Sequence, residues 1–134
     1  MFVLDCSVAV CWFVKNQASA ETDRLLEQLH DNGALVPALW HWELGNVLVR
    51  AERRGFITAA QLTATLENIK VLITTDTRSS RALNEVLNLA RVESLTTYDA
   101  AYLDLAMQRE IPLATLDEKL IRAARRNKVK TLPV

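Results

Sequence analysis

Four short apolar runs, of three to five residues each, punctuate this chain at residues 2–4, 34–36, 71–73 and 112–116, and residues 129–132 can add a closing edge strand. A stretch of helical length separates each from the next. A run that short is too brief for a helix, and its unbroken apolar character fits a strand buried on both faces. Parallel strands joined through helices take right-handed crossovers and need cover on both sides. The expected fold class is therefore α/β, a three-layer α/β/α sandwich around a central parallel sheet of four to five short strands.

The intervening segments carry helix signals. Ser7 is placed to cap a helix over residues 8–14, which is apolar on nearly every side and so belongs between layers. Ser19 is expected to cap an outer amphipathic helix striped by Leu25, Leu26 and Leu29 and stopped at Asn32-Gly33. Further helices are expected over residues 38–54, from Thr58 to about residue 68, over residues 79–91, from Thr96 onward, and over residues 117–127.

With 134 residues, half of them apolar, and only three Gly and three Pro, the chain has the make-up of a single domain over residues 1–134. It shows no repeat, linker or low-complexity stretch. Sixteen basic residues balance sixteen acidic ones, so no overall charge steers the chain to nucleic acid or to an acidic partner. Any basic surface has to be local. Cys6 and Cys11 lie on a strand end and in the helix after it, point different ways, and are expected as buried free thiols. The N-terminal residues lack a basic n-region and carry Asp5 within the apolar stretch, unlike a signal peptide. The longest uncharged apolar-rich run, residues 6–14, is far short of the roughly 18 needed for a bilayer span. A cytoplasmic protein without a membrane segment is expected, in keeping with free thiols.

Four acids, Asp5, Glu43, Asp99 and Asp117, fall where a strand ends or the following helix begins. In one parallel sheet they would meet at the carboxyl edge, where open α/β sheets bind ligands. Carboxylates gathered in a small space repel one another and destabilise the fold unless a cation neutralises them. A cation-dependent site is the implication. Asp5 directly follows the first strand, where an N-cap would also place an acid. Glu43 is the one charged residue from residue 38 to residue 49 if His41 is neutral. Its helical neighbours are Leu39, Trp40 and Val47, and a carboxylate buried among them costs several kcal/mol unless it is paired or metal-bound. Asn46, one turn on, can hydrogen-bond Glu43 or a coordinated water. Thr96 and Asp99 match a capping box, and Thr115 with Glu118 matches another, which leaves Asp117 spare to face a ligand. Asp76 reads as a turn acid that caps the helix near Ser79. Asp104 lies about 140° round the helix from Asp99, so neither joins the set.

The segments Phe2-Val3-Leu4-Asp5-Cys6-Ser7, Glu43-Leu44-Gly45-Asn46, Tyr98-Asp99-Ala100-Ala101-Tyr102-Leu103 with Leu105-Ala106, and Thr115-Leu116-Asp117-Glu118-Lys119-Leu120 together resemble the PIN-domain nucleases. The likeness is nearest to the VapC-type toxins of bacterial toxin–antitoxin pairs, and it runs along essentially the whole chain in order, spacing and length. It implies a doubly wound α/β/α fold whose acids line a groove that binds Mg²⁺ or Mn²⁺. On that likeness Asp5, Glu43, Asp99 and Asp117 are catalytic metal ligands, directly or through water, with Ser7, Asn46 and Thr115 behind them. The implied activity is that of a metal-dependent endoribonuclease, which hydrolyses RNA and leaves a 5′-phosphate and a 3′-hydroxyl. The implied partners are RNA, a cognate antitoxin whose peptide fills the groove, and a second copy in a homodimer. Hard cations prefer carboxylate oxygens, and paired ions can stabilise both attacking and departing oxygens, which agrees with that chemistry.

Trp40 and Trp42 flank His41 and read as core or dimer surface, with base stacking as the alternative. Arg50, Arg53 and Arg54 end one helix, while Arg122, Arg125, Arg126, Lys128 and Lys130 crowd the C-terminus. Such clusters serve either phosphate contacts or a solvated helix end. A receiver-type phosphoacceptor domain, with Asp76 as acceptor, has similar length and sheet. It needs an adjacent acid pair after its first strand, however, and Asp5 stands alone before Cys6. A PIN-like module that binds RNA or a partner without cleaving is disfavoured, because all four acids are present.

Overall fold

The structure is a computed structural model and describes residues 1–77 and 83–133. The five expected strands form as β1 (Phe2–Leu4), β2 (Ala34–Pro37), β3 (Ile73–Asp76), β4 (Leu113–Ala114) and β5 (Thr131–Leu132). All pair in parallel, in the order β3-β2-β1-β4-β5. The chain steps outward from β1 to β2 and β3, then crosses back past β1 to add β4 and β5. Connections leave β1 and β4 on opposite sides, and at such a switch point an open sheet forms a crevice at its carboxyl edge.

Among the described residues seven α-helices join the strands: α1 (Cys6–Phe13), α2 (Ala20–Asn32), α3 (Leu39–Arg53), α4 (Ala59–Lys70), α5 (Leu83–Glu93), α6 (Thr97–Arg109) and α7 (Glu118–Arg126). Right-handed crossovers put α1 to α4 on one face and α5 to α7 on the other. In line with this, α1 packs against α2, α3 and α4, while α6 covers β1, β2 and β4 and touches α5 and α7. The all-round apolar character of α1 follows from its place between layers, where Val8, Ala9, Val10, Cys11 and Phe13 are all buried. Ser19 caps α2 as expected, its Oγ accepting from the Thr22 amide at 3.2 Å while Thr22 Oγ1 accepts from the Ser19 amide at 2.9 Å. Gly33 ends that helix at φ 73°, a left-handed conformation open to glycine at no cost, and a Cβ there would meet the Leu72 carbonyl oxygen at 3.3 Å.

Several boundaries depart from the sequence pattern. The third strand begins at Ile73 rather than Val71, because α4 runs on to Lys70 and Val71 forms its helical C-cap, 83% exposed. Pairing with β2 then carries β3 on to Asp76, opposite Pro37. The first helix starts at Cys6 with Asp5 in the N-cap position, so Ser7 lies inside the first turn and does not cap it. Asp117 is not spare, because its Oδ1 accepts from the Leu120 amide at 3.1 Å and caps α7. Ser79, the expected start of the fifth helix, lies outside the described residues. The fourth and fifth strands are shorter than the segments expected to form them, because only two residues of each find partners. Cys6 and Cys11 are buried free thiols. No helix among the described residues is long and apolar enough to cross a membrane.

Candidate active site

Asp5 closes β1 at the switch point and is buried. Its Oδ2 accepts from Ser7 Oγ at 2.8 Å and from Thr115 Oγ1 at 2.7 Å. Those hydroxyls in turn accept from the Leu116 amide at 2.9 Å and the Asp117 amide at 3.1 Å. Each hydroxyl has one proton, and both are given to Asp5, so the 3.3 Å approach of Ser7 to Thr115 is packing rather than a further bond. The loop after β4 is thereby fastened to the end of β1. Burial pushes the Asp5 carboxyl up, the Thr115 and Ser7 hydroxyls and the Cys6 amide pull it down, and the charge of Asp117 raises it.

Thr115 therefore has a measurable share in holding this carboxylate. Thr115→Val keeps the shape of a side chain that is 1% exposed but removes a bond to a charged group, and should cost about 1.5–3 kcal/mol at neutral pH. The check is chemical denaturation at pH 7 and at about pH 3.5, where protonation of Asp5 in both states should shrink the loss.

Glu43 lies one turn into α3, half-buried, and its Oε1 accepts from Tyr102 Oη at 3.0 Å. Burial pushes its carboxyl up, the Tyr102 bond opposes this, and the charges of Asp5 and Asp99 raise it further. Asp99 sits in the first turn of α6, which Thr96 caps by accepting from the Asp99 amide at 3.1 Å. Its carboxyl is pushed up by burial, then by the charges of Asp5 and Asp117, against smaller lowering from Thr96 and Lys119. The electrostatic influences link all four acids. Glu43 feels Asp5 and Asp99, Asp99 feels Asp5 and Asp117, and Asp5 feels Asp117. Four elements thus deliver one acidic cluster to the carboxyl edge of the sheet.

The cluster is electrostatically coupled without being a closed ligand shell. Among the described residues no three His, Cys, Asp or Glu side chains stand close enough to hold a metal ion as arranged. Asp5, Glu43 and Asp117 each commit one oxygen to a donor within the protein, and unneutralised carboxylates hold one another apart. In kind the donors fit a hard divalent cation, because all four supply carboxylate oxygen and none supplies sulfur.

The other expected participants divide. Ser7 and Thr115 hold Asp5 directly. Asn46 is exposed, its backbone carbonyl accepts from Arg50 Nε at 3.4 Å, and the bond to Glu43 comes from Tyr102 instead. Sequence reasoning missed Tyr102, although the signal was present in a tyrosine one helical turn after Asp99, on the buried face of α6. Cys6 Sγ stands 3.6 Å from both Tyr102 Oη and the Trp40 carbonyl oxygen, and burial pushes its thiol up to about 12, so it is no nucleophile. Asp76 closes the edge strand β3 and pairs with Arg109 at 3.2 Å, while Asp104 accepts from Gln108 at 3.2 Å.

A family model described as the PIN domain matches residues 2–126. The chain belongs to the PIN domain family. That membership makes nuclease chemistry the general expectation and removes the receiver reading of Asp76. The crystal structure of PAE2754 from Pyrobaculum aerophilum is similar to this PIN domain, with a TM-score of 0.68 and 24% identity over 91% of this chain and 84% of that one, and it shares the fold. No curated protein matches the chain.

Two further features of this PIN domain now have places. Trp40 is in the core at 2% exposure, whereas Trp42 is 83% exposed beside Glu43. Apart from Arg122 in the middle of α7, the basic clusters lie at or beyond the C-terminal ends of helices whose N-terminal ends carry the acids, so Arg53 is about 15 Å along α3 from Glu43 and Arg126 about 14 Å along α7 from Asp117. Arg126 also donates to Glu93 at 2.7 Å and Arg122 approaches Glu118 at 4.0 Å, which fits a solvated helix end better than a phosphate contact at the acids.

Proposed function

We propose that this PIN domain is a metal-dependent endoribonuclease and serves as the toxin of a type II toxin–antitoxin pair of the VapC kind. The observation that carries the reading is the electrostatic coupling of Asp5, Glu43, Asp99 and Asp117 at a switch point, with three of the four carboxyls pushed up by burial and by one another. Natural folds do not gather uncompensated carboxylates without a ligand to neutralise them. These four residues would hold Mg²⁺ or Mn²⁺, which when bound supplies Lewis acidity and charge neutralisation at a phosphodiester. Ser7 and Thr115 orient Asp5 through one of its oxygens. Glu43, with Oε1 held by Tyr102, keeps Oε2 for a cation or for the proton of an attacking water. Attack by water opposite the 3′ oxygen leaves a 5′-phosphate and a 3′-hydroxyl.

An RNA substrate and free thiols suit a cytoplasmic protein. The exposed Trp42 offers apolar surface for a homodimer contact, and an antitoxin peptide would fill the acidic crevice. The test uses purified protein freed of any co-purifying partner, incubated with RNA and Mn²⁺. Fragments should carry 5′-phosphates and feed a 5′-phosphate-dependent exonuclease. Expression alone should arrest growth, with relief by the product of a short neighbouring reading frame. Failure to cut any RNA with either ion sinks the enzyme, whereas cutting without growth arrest sinks only the toxin.

A further inference from the structure

Tyr102 is 0% exposed, yet its hydroxyl is spent on a group at the crevice rather than on the backbone around it. It reaches Glu43 from a helix on the opposite face of the sheet, 59 residues away in sequence. The hydroxyl has one proton, and that proton goes to Glu43 Oε1 at 3.0 Å. With that proton given to Glu43, Tyr102 Oη and the Trp40 carbonyl oxygen both face Cys6 Sγ as acceptors at 3.6 Å, and the single thiol proton is shared between them. Trp40 lies three residues before Glu43 on the same helix. Tyr102 therefore holds the start of α3 at the Glu43 carboxylate, with the Cys6 thiol set between the Tyr102 hydroxyl and the Trp40 backbone.

Glutamate is the longest and loosest of the four acids, with three rotatable side-chain bonds where aspartate has two. The other three sit at a strand end or in the first turn of a helix, but Glu43 has to extend from α3 toward the centre of the cluster. We propose that Tyr102 is a positioning residue that fixes the Glu43 carboxylate for a divalent cation, with the Cys6 thiol fixing the direction of the Tyr102 hydroxyl. The proposal rests on the reading of Glu43 as a metal ligand. Groups that orient a ligand from behind typically change metal affinity by about 10- to 100-fold when lost.

The test is a Mn²⁺ titration of the purified full chain, followed by electron paramagnetic resonance of the free ion, for wild type, Tyr102→Phe, Glu43→Gln and the double variant. Tyr102→Phe keeps the buried ring and should weaken Mn²⁺ by about 10- to 100-fold. In the Glu43→Gln background the same change should weaken it no further, since its effect runs through that carboxylate. Equal weakening in both backgrounds, or affinity within about twofold of wild type, makes Tyr102 a packing residue and overturns the proposal. If Tyr102→Phe does not fold, Cys6→Ala, which leaves the ring and the Glu43 bond in place, should weaken Mn²⁺ in the same direction by a smaller factor. No change in that variant overturns the proposal as well. Should the wild type take up no Mn²⁺, the reading of the four acids falls and this one with it, whereas a wild type that binds beside an unaffected Tyr102→Phe removes this one alone.

Discussion

Asp5→Asn should cut RNA about 10³-fold more slowly than the wild type and yet melt at a higher temperature when no divalent cation is present. The first effect follows from the charge. A cation at the scissile phosphate supplies several kcal/mol, each 1.36 kcal/mol is a factor of ten, and Asp5 is the most buried of the four acids proposed to hold it. The second effect has the opposite sign because burial, the largest influence on Asp5, pushes its carboxyl up in the folded state. Above the ordinary carboxylate range the unfolded chain ionises freely, while the folded protein carries a charge it disfavours. Stability is therefore lost as pH rises toward the raised folded value, and is fully present below about pH 4, where Asp5 is protonated in both states. Asparagine is neutral throughout and can still accept from Ser7 and Thr115. The gain at pH 7 should be about 0.5–2 kcal/mol and should vanish near pH 3.5. Thermal melts in EDTA at the two pH values are the measurement. A variant that melts below wild type at pH 7 would mean that the internal hydrogen bonds already compensate the Asp5 charge.

Mg²⁺ or Mn²⁺ at one hundred times its dissociation constant should stabilise the wild type by about 2.7 kcal/mol, reversibly with EDTA, and should do little for Asp5→Asn. The pH dependence separates this from a general salt effect. Asp5, Glu43 and Asp99 all hold their protons to higher pH than free carboxylates do, first through burial and further through the charges of neighbouring acids of the cluster. Protons compete with the cation for the same oxygens, so metal-linked stability is present above these raised values and is lost as pH falls through them. The metal-free protein trends the other way over the same window, since protonation relieves its buried charges. Melting curves with and without Mn²⁺ should thus converge on acidification and separate as the pH rises. Curves that stay parallel from about pH 4 to pH 8 would sink the idea that these carboxylates hold the cation.

Much of this site was legible along the chain. Each acid stands where an apolar run or a capping signal marks a strand end or a helix start, and those signals are local. Ser19 caps α2 as expected, and Thr58, read as the start of a helix, stands in the cap of α4 for the same reason. Misreadings arose where two local explanations compete for one residue. Ser7 reads as a cap and Asp117 as spare, and only with β1 beside β4 are Ser7 and Thr115 both turned to Asp5, while Asp117 gives one oxygen to the cap of α7. Val71 looked like strand because it opens an apolar triplet, but it is the exposed end of α4. Tyr102 gave only a weak signal, its place one turn after Asp99, since a tyrosine on a buried helical stripe is ordinary core until its hydroxyl is seen to have a partner.

The α/β class, the order of elements and the membership of the PIN family were determined by the sequence alone, because the central parallel strands carry short apolar runs and helices require caps and stripes. The tertiary structure decided the strand order β3-β2-β1-β4-β5, and with it which side chains meet. That order sets β1 beside β4, so Thr115 reaches Asp5 across 110 residues, and it lets α3 and α6 bring Glu43 and Tyr102 together across 59. Contacts of that separation depend on how crossovers pack on the two faces of a sheet, which no local pattern encodes.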